Sequence, residues 1–254
     1  MRPDPCIARS LLRAFAMAPL LAAGSCITTE FDAAPMELQT TVAVVRGHRE
    51  QDVRELQALA QELDPLVRAL VRPRRPEQPR IVVQSAGAVC CADACTTTVP
   101  VGLLGLRRSR FIVIRDDAPG ARRFLLAHEL AHWYADWAWD YLPLAIEEGL
   151  ADAVAMRLAP EFGAGRMAFL AGLGPLSATD VRELLRVERG DEYRLAPRAH
   201  EQLYLAGRQV VEALGVDQLR SWCDAAHAGD RARIPLAWFD DVACERAPQV
   251  AARR

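Results

Sequence analysis

The residue types and spacing best suited to chemistry in this chain are those of His128, Glu129 and His132, in the sequence His-Glu-Leu-Ala-His. On a helix, side chains four residues apart project from one face, so both imidazoles can bind one zinc ion. Glu129 is rotated from His128 by about a quarter of a turn, which makes it a poor further ligand. It is well placed to take a proton from a water that zinc has made acidic. The alternative is a core helix with two buried, hydrogen-bonded histidines.

A second acidic segment follows at residues 144–152, with the sequence Leu-Ala-Ile-Glu-Glu-Gly-Leu-Ala-Asp. A catalytic zinc needs a third protein ligand and an open position, and a helix here, antiparallel to the first, would return a carboxylate to the metal. Glu147 and Glu148 both compete for that role. Glu148 is favoured because Asp152 lies one turn later on the same face, where it could accept the free N–H of a zinc-bound histidine. Gly149 would let the two helices approach closely.

The two segments together, at 128–132 and 143–152, resemble the gluzincins, the thermolysin-type clan of zinc metallopeptidases. The resemblance implies a zincin-like α+β fold: a small mixed sheet with an edge strand, the active-site helices, and then a helical C-terminal half. It implies zinc as the cofactor and a peptide or protein as the substrate. It assigns a role in zinc binding or catalysis to five residues: the ligands His128, His132 and Glu148, the base Glu129, and Asp152, which orients a ligand.

The same resemblance implies two further features of the site. Residues 111–115 lie just before the motif helix, where that family's edge strand would be, and such a strand binds an extended peptide by main-chain pairing. Members of the clan also stabilise the oxyanion with a tyrosine or histidine of the helical half. Tyr204, His200 and Tyr193 are candidates that no motif separates.

The N-terminus predicts export. Three arginines precede the apolar run 14–23, which is too short to span a bilayer. The run ends in Ala-Gly-Ser-Cys26, which resembles a bacterial lipobox, with an ordinary cleaved signal peptide as the alternative. We therefore expect a protein of the bacterial cell envelope, either lipid-anchored through Cys26 or periplasmic or extracellular, with no other membrane contact.

These features divide the chain into a lipoprotein-type signal peptide (1–25), a tether (26–46) and a metallopeptidase domain (47–254). Within the domain, an α+β half (47–139) precedes a helical half (140–254). Apolar spacing predicts the helices and β-type runs predict the strands. The expected helices are 49–71, 120–139, 144–159, 178–188, 198–214 and 217–228, and the expected strands are 81–83 and 111–114.

Export favours disulfides among the cysteines. Cys223 with Cys244 is one expected pair, and Cys95 with either Cys90 or Cys91 is another; a metal site at the 90–95 cluster is the weaker alternative because no histidine lies near it. Aromatic residues crowd the end of the motif helix, where core packing is favoured over a substrate pocket or lipid contact. They are Trp133, Tyr134, Trp137, Trp139 and Tyr141.

Composition limits the classes of function. The 31 basic residues, all arginine, and the 33 acidic residues leave a net charge of −2, which argues against non-specific nucleic-acid binding. The arginines of 72–79 are expected in a solvated loop rather than an anion site.

The sequence predicts a zinc-dependent metallopeptidase. The alternatives are a non-catalytic envelope lipoprotein braced by zinc, with a binding role, and a zinc hydrolase of a non-peptide amide.

Overall fold

The computed structural model describes residues 34–75, 77–84, 94–101, 107–115, 119–138, 141–174, 176–189, 191, 195–229 and 233–241. The chain divides into two compact units. Unit 1 comprises Met1–Gln61 and Gln78–Gly120, and unit 2 comprises Glu62–Glu77 and Ala121–Arg254. Several predicted features lie outside the described residues, namely the signal peptide, Cys26, Cys90, Cys91, Trp139, Tyr193 and Cys244.

Unit 1 contains a small mixed sheet, as predicted. Its strands are β1 (Met36–Gln39), β2 (Val44–Gly47), β3 (Arg80–Gln84), β4 (Ala94–Val101) and β5 (Arg107–Arg115), in the spatial order β1-β2-β3-β5-β4. The pairs β2–β3 and β3–β5 are parallel, whereas β1–β2 and β4–β5 are antiparallel. The α+β class is therefore confirmed.

The expectation that residues 111–115 form the edge strand is wrong. They belong to β5, which pairs with β3 on one side and with β4 on the other. The run Phe-Ile-Val-Ile at 111–114 is buried throughout, which is typical of an interior strand with both faces covered. The strand at this edge of the described sheet is β4, whose Thr96 pairs with Ile112 and whose Thr97 pairs with Phe111.

Strand β1 and all of β2 except Gly47 lie in the segment 26–46 predicted as a tether. Burial in β2 alternates, with Val45 buried and Arg46 half-buried, as expected of a strand with one face on a core. Its pairing with β3 joins Val45 to Ile81. The alternation covers only four residues in each strand, which is too short to distinguish from an irregular tether, and the partner lies more than thirty residues further along the chain.

Helix α1 (Glu50–Val71) follows β2 and contributes residues to both units. It matches the prediction of a helix at 49–71. Its fully buried apolar side chains recur every three or four residues, which is the spacing of one helix face. They are Val53, Leu56, Ala60, Leu63, Val67 and Val71.

Unit 2 is built from helices among the residues that the structure describes. After a 3₁₀ turn at Pro119–Ala121 these are α2 (Arg122–Tyr134), α3 (Leu144–Leu158), α4 (Pro160–Gly172), α5 (Ala178–Leu184), α6 (Pro197–Leu214), α7 (Val216–Ala228) and α8 (Ala237–Asp241). Helices α3, α6 and α7 agree with the predicted bounds within a residue at each end. Helices α4 and α8 are not predicted by the sequence, and no described helix is both long and apolar enough to cross a membrane.

Helix α2 ends at Tyr134, five residues before its predicted end. The Asp136 carboxylate accepts hydrogen bonds from the backbone N–H groups of Arg74 (3.0 Å) and Arg75 (2.9 Å). The buried Trp137 indole donates to the carbonyl of Val71 at 3.0 Å. These tertiary bonds hold residues 136–138 in a turn, which apolar spacing alone could not reveal.

The aromatic residues after the motif pack in the core of unit 2, as expected. Trp133, Tyr134 and Trp137 are at most 5% exposed. The Tyr134 hydroxyl donates to the Asp64 carboxylate and accepts from Arg68 at 3.0 Å. Burial and the Asp64 carboxylate raise the pKa of Tyr134, and the Arg68 guanidinium opposes this effect only in part. These three side chains therefore pack in the core, whereas Tyr141 is half-buried and its hydroxyl lies 2.7 Å from His227 Nδ1.

The arginines after α1 form ion pairs with α7. Arg72 lies 2.8 Å from Asp217, and Arg74 pairs with Asp224. This arrangement agrees with an exposed, ion-paired loop and not with an anion-binding site.

Helices α3 and α6 approach each other closely at two glycines. A Cβ atom on Gly207 would overlap the carbonyl of Ala145, and one on Gly149 would overlap the backbone of Gly207 and Arg208. Gly149 therefore permits the approach of α6. The expectation that it serves the approach of α2 is wrong, since the atoms facing it belong to a helix more than fifty residues later in the chain.

Candidate metal centre

The two motif histidines lie on the buried side of α2. His128 is 9% and His132 is 8% exposed, and apolar neighbours on the same helix, including Leu126 and Leu130, are fully buried. Because the two positions are separated by one helical turn, both rings project in the same direction. The rings are 4.8 Å apart between centroids and meet edge to face.

Glu148 of α3 completes a cluster with these histidines. The Nε2 atoms of His128 and His132 are 3.1 Å apart, and they lie 3.3 Å and 3.4 Å, respectively, from Glu148 Oε2. Ligand atoms each about 2.0–2.1 Å from a tetrahedral zinc are separated from one another by about 3.3–3.4 Å. Two imidazole nitrogens and one carboxylate oxygen are also a donor set that zinc accepts. The cluster therefore fits a zinc ion in both spacing and chemistry.

The two adjacent glutamates of α3 have different environments. Glu147 is buried, and its Oε2 accepts from the guanidinium of Arg189. Glu148 is the one whose carboxylate lies against His128 and His132. Of the two candidates that the sequence leaves open, the structure thus brings Glu148 to the histidines, as the position of Asp152 suggested.

Asp152 lies one turn after Glu148 and is almost fully buried. Its Oδ1 is 3.1 Å from Nδ1 of His128. A histidine that binds metal through Nε2 carries its proton on Nδ1 and donates it to such a carboxylate, which fixes both the tautomer and the ring orientation. Asp152 therefore stands where the sequence predicted it.

The electrostatics of the cluster favour positive charge. Burial disfavours the charged form of His128, yet hydrogen bonds to Asp152 and Glu148 hold its pKa well above the usual value. Burial likewise opposes ionisation of Glu148, but the charge of His132 and hydrogen bonds to both histidines hold its pKa well below the usual value. The hydrogen bonds and charges of the cluster therefore outweigh the cost of desolvation. The negative potential of its carboxylates would also attract a divalent cation.

Glu129 follows His128 on α2 and is 5% exposed. Its negative charge contributes to raising the pKa of both His128 and Tyr204, which places its carboxylate within electrostatic reach of the cluster.

Tyr204 of α6 is the tyrosine that the described structure brings to the site. Its ring centroid is 6.4 Å from that of His128 and 5.2 Å from that of His200. Burial raises the pKa of Tyr204, and the charges of Glu148 and Asp152 raise it further, so the phenol stays protonated and can donate a hydrogen bond. Of the other two candidates, His200 neighbours Tyr204, and Tyr193 lies outside the described residues.

Arg166 of α4 is a residue near the site that the sequence did not indicate. Its Nη2 is 3.5 Å from Asp152 Oδ2, and its Nη1 donates to Glu201 Oε2 at 2.6 Å. It lies in a glycine-rich segment with no periodic relation to the motif, so sequence spacing offered no sign of this contact.

Comparison of the chain with protein-family models, with curated proteins and with solved structures finds no match. The likeness to the gluzincins therefore rests on the residues at 128–132 and 143–152.

Proposed function

We propose that the protein is a zinc metallopeptidase of gluzincin type, with a zincin-like domain and a peptide or protein substrate. The observation that carries the proposal is the separation of 3.1–3.4 Å among Nε2 of His128, Nε2 of His132 and Oε2 of Glu148. These three residues would hold the ion, and Asp152 would orient His128 through its Nδ1 proton. When bound, zinc would polarise a carbonyl and lower the pKa of a water to about 7.

Glu129 is the proposed general base. Its carboxylate would accept a proton from the attacking water and then deliver that proton to the leaving amine. Its position one residue after His128 supports this role, because the helical rotation directs it beside the metal position and not onto it. Tyr204 is the proposed donor to the developing oxyanion, supported by its proximity to His128 and by its raised pKa.

A non-catalytic zinc brace is the second candidate. A structural zinc site has four protein ligands, whereas a catalytic site leaves one position open. In the described part of the chain, the group that could hold a metal consists of the three residues His128, His132 and Glu148. Three protein ligands are the number expected of a catalytic zinc site, which favours the metallopeptidase over the structural brace. Hydrolysis of a non-peptide amide would use the same residues. Only tests with different substrates can distinguish this activity from peptide hydrolysis.

The proposed location is the bacterial cell envelope, with a lipid on Cys26 as the membrane contact. It is supported by the charged and apolar segments that precede Cys26. Metabolic labelling with a fatty acid, compared between the wild type and Cys26→Ser, tests it. Equal labelling of the two would contradict lipidation at this residue.

The experiment that tests the activity is digestion of an unbiased peptide library by the purified full chain, wild type beside Glu129→Gln, each shown to hold one zinc. We expect cleavage by the wild type and a cleavage rate about 10²–10⁴-fold lower in Glu129→Gln, which is the range for removal of a general base. Equal cleavage by the two proteins would refute the role of Glu129. No cleavage by either would favour a zinc-braced protein or a non-peptide substrate.

A further inference from the structure

Arg166 contacts the surroundings of the metal centre from a third helix. Its side chain is 18% exposed. One guanidinium nitrogen lies 3.5 Å from Asp152 Oδ2 of α3, and another donates to Glu201 Oε2 of α6 at 2.6 Å. The central carbon of the guanidinium lies 5.1 Å from the ring centroid of Tyr204. A single side chain thus joins α3 and α6 beside His128.

The contact with Asp152 has an electrostatic consequence. The two carboxylate oxygens of Asp152 face different partners, Oδ1 towards His128 and Oδ2 towards Arg166. Asp152 is 1% exposed, and a buried carboxylate is costly unless an opposite charge compensates it. The Arg166 guanidinium therefore places a positive charge beside this buried carboxylate, at the oxygen that does not face His128.

Two groups on α6 hold Arg166 in place. Glu201 accepts from Nη1, and the central guanidinium carbon lies over the Tyr204 ring. A guanidinium can serve two carboxylates and an aromatic face at once because it is planar and carries its donors in a fixed fork. A lysine ammonium would keep the charge but could not reproduce this geometry.

We propose that Arg166 is a positioning residue of the metal centre: it bridges Asp152 to Glu201, holds the Asp152 carboxylate in the orientation that faces His128, and so strengthens zinc binding. The inference rests on the proposed function, because it concerns the same zinc site. It adds a residue from outside the two motif segments to those on which the site depends.

The test is the zinc affinity of the metal-free full chain, measured by competition with a chromophoric chelator. Arg166→Gln should weaken zinc binding by about 10–100-fold, the usual cost of losing an outer partner of a metal ligand. The zinc affinity of Arg166→Lys should fall between those of Arg166→Gln and the wild type. Arg157→Gln is the matched control, since Arg157 is an exposed arginine of α3, and should leave the affinity unchanged.

A double-mutant cycle with Asp152→Asn separates positioning from general destabilisation. If Arg166 acts through Asp152, Arg166→Gln should have little further effect on zinc affinity in the Asp152→Asn protein. An equal loss in both backgrounds, or wild-type affinity in Arg166→Gln, would overturn the inference. Should Arg166→Gln fail to fold, Glu201→Gln removes the anchor on α6 and takes its place in the same cycle.

The two proposals fail in different ways. A wild type that binds no zinc would overturn the proposed function and this inference with it. A wild type that binds zinc but cleaves no peptide would overturn the peptidase alone, and the cycle would still decide the role of Arg166.

Discussion

Glu147 and Glu148 are adjacent on α3, and their side chains have different partners. The carboxylate of Glu147 pairs with Arg189, and that of Glu148 faces His128 and His132. Neighbouring helical positions are rotated by about 100°, so one glutamate can serve packing while the other serves the site. Substitutions at the two positions should therefore have separable effects.

Glu148→Ala should weaken zinc binding by more than about 100-fold, because it removes a ligand outright, whereas loss of an outer partner alone costs about 10–100-fold. Glu147→Ala should retain zinc and lower the free energy of unfolding by about 1–2 kcal/mol, since the half-exposed Arg189 loses a buried partner. Isothermal titration and denaturant unfolding of both variants measure the two effects. A greater loss of zinc in Glu147→Ala would reassign the ligand.

The buried thiol of Cys223 on α7 should make the stability of the protein depend on pH. The residue is fully buried, and burial raises the pKa of its thiol to about 12. The unfolded thiol ionises near its ordinary pKa of about 8.5. As the pH rises above that value, the unfolded state releases the proton first, so the contribution of Cys223 to stability is complete below it and declines towards pH 12.

Urea unfolding of the reduced protein between neutral and alkaline pH, wild type beside Cys223→Ala, measures this contribution. We expect a steeper loss of stability with pH in the wild type than in the variant. Parallel pH profiles would show that Cys223 ionises equally in both states. Thiol counting on the unfolded, non-reduced protein, repeated with Cys244→Ser, separately tests the disulfide predicted between Cys223 and Cys244.

At the scale of the elements, the contact of α3 with α6 depends on glycine. Because a Cβ on Gly207 would overlap the carbonyl of Ala145, Gly207→Ala must separate two helices that carry Glu148 and Tyr204. We expect a loss of about 3 kcal/mol or more in the free energy of unfolding, the size that overpacking against a backbone reaches.

Gly165→Ala on α4 is the control for this prediction. Nothing lies within 4 Å of a Cβ at Gly165, so alanine should stabilise the helix by about 0.5–1 kcal/mol through its higher helix propensity. Thermal unfolding of both variants measures the contrast. Equal effects at the two positions would show that the helix contact is looser than the structure indicates.

The same elements show what the sequence could predict. Helix α3 and the pairing of His128 with His132 follow from spacing within one helix, where partners are three or four residues apart. Helix α4 contains Gly163 and Gly165, which lower helix propensity, and its formation depends on packing such as that of Gly163 against Met156. The partner of Gly149 and the contacts of Arg166 join residues distant in sequence, so spacing could not reveal them.

At the scale of the whole molecule, every member of the candidate metal cluster belongs to unit 2. A ligand that binds only the folded state stabilises it in proportion to the logarithm of its concentration, by about 2.7 kcal/mol at a hundred times the dissociation constant. Removal of zinc should therefore destabilise unit 2.

Calorimetry with and without a chelator measures this effect. We expect the melting temperature of unit 2 to fall by about 5–10 °C when zinc is withdrawn. An unchanged profile after full removal of the metal would argue against a zinc site of useful affinity.

The division of the chain into two units has an optical consequence. All five tryptophans and all four tyrosines belong to unit 2, and the aromatic residues of unit 1 are phenylalanines alone. Absorbance and fluorescence of indole and phenol therefore come only from the helical unit, and with Trp137 fully buried and Trp133 nearly so, their emission should shift to the red when that unit opens.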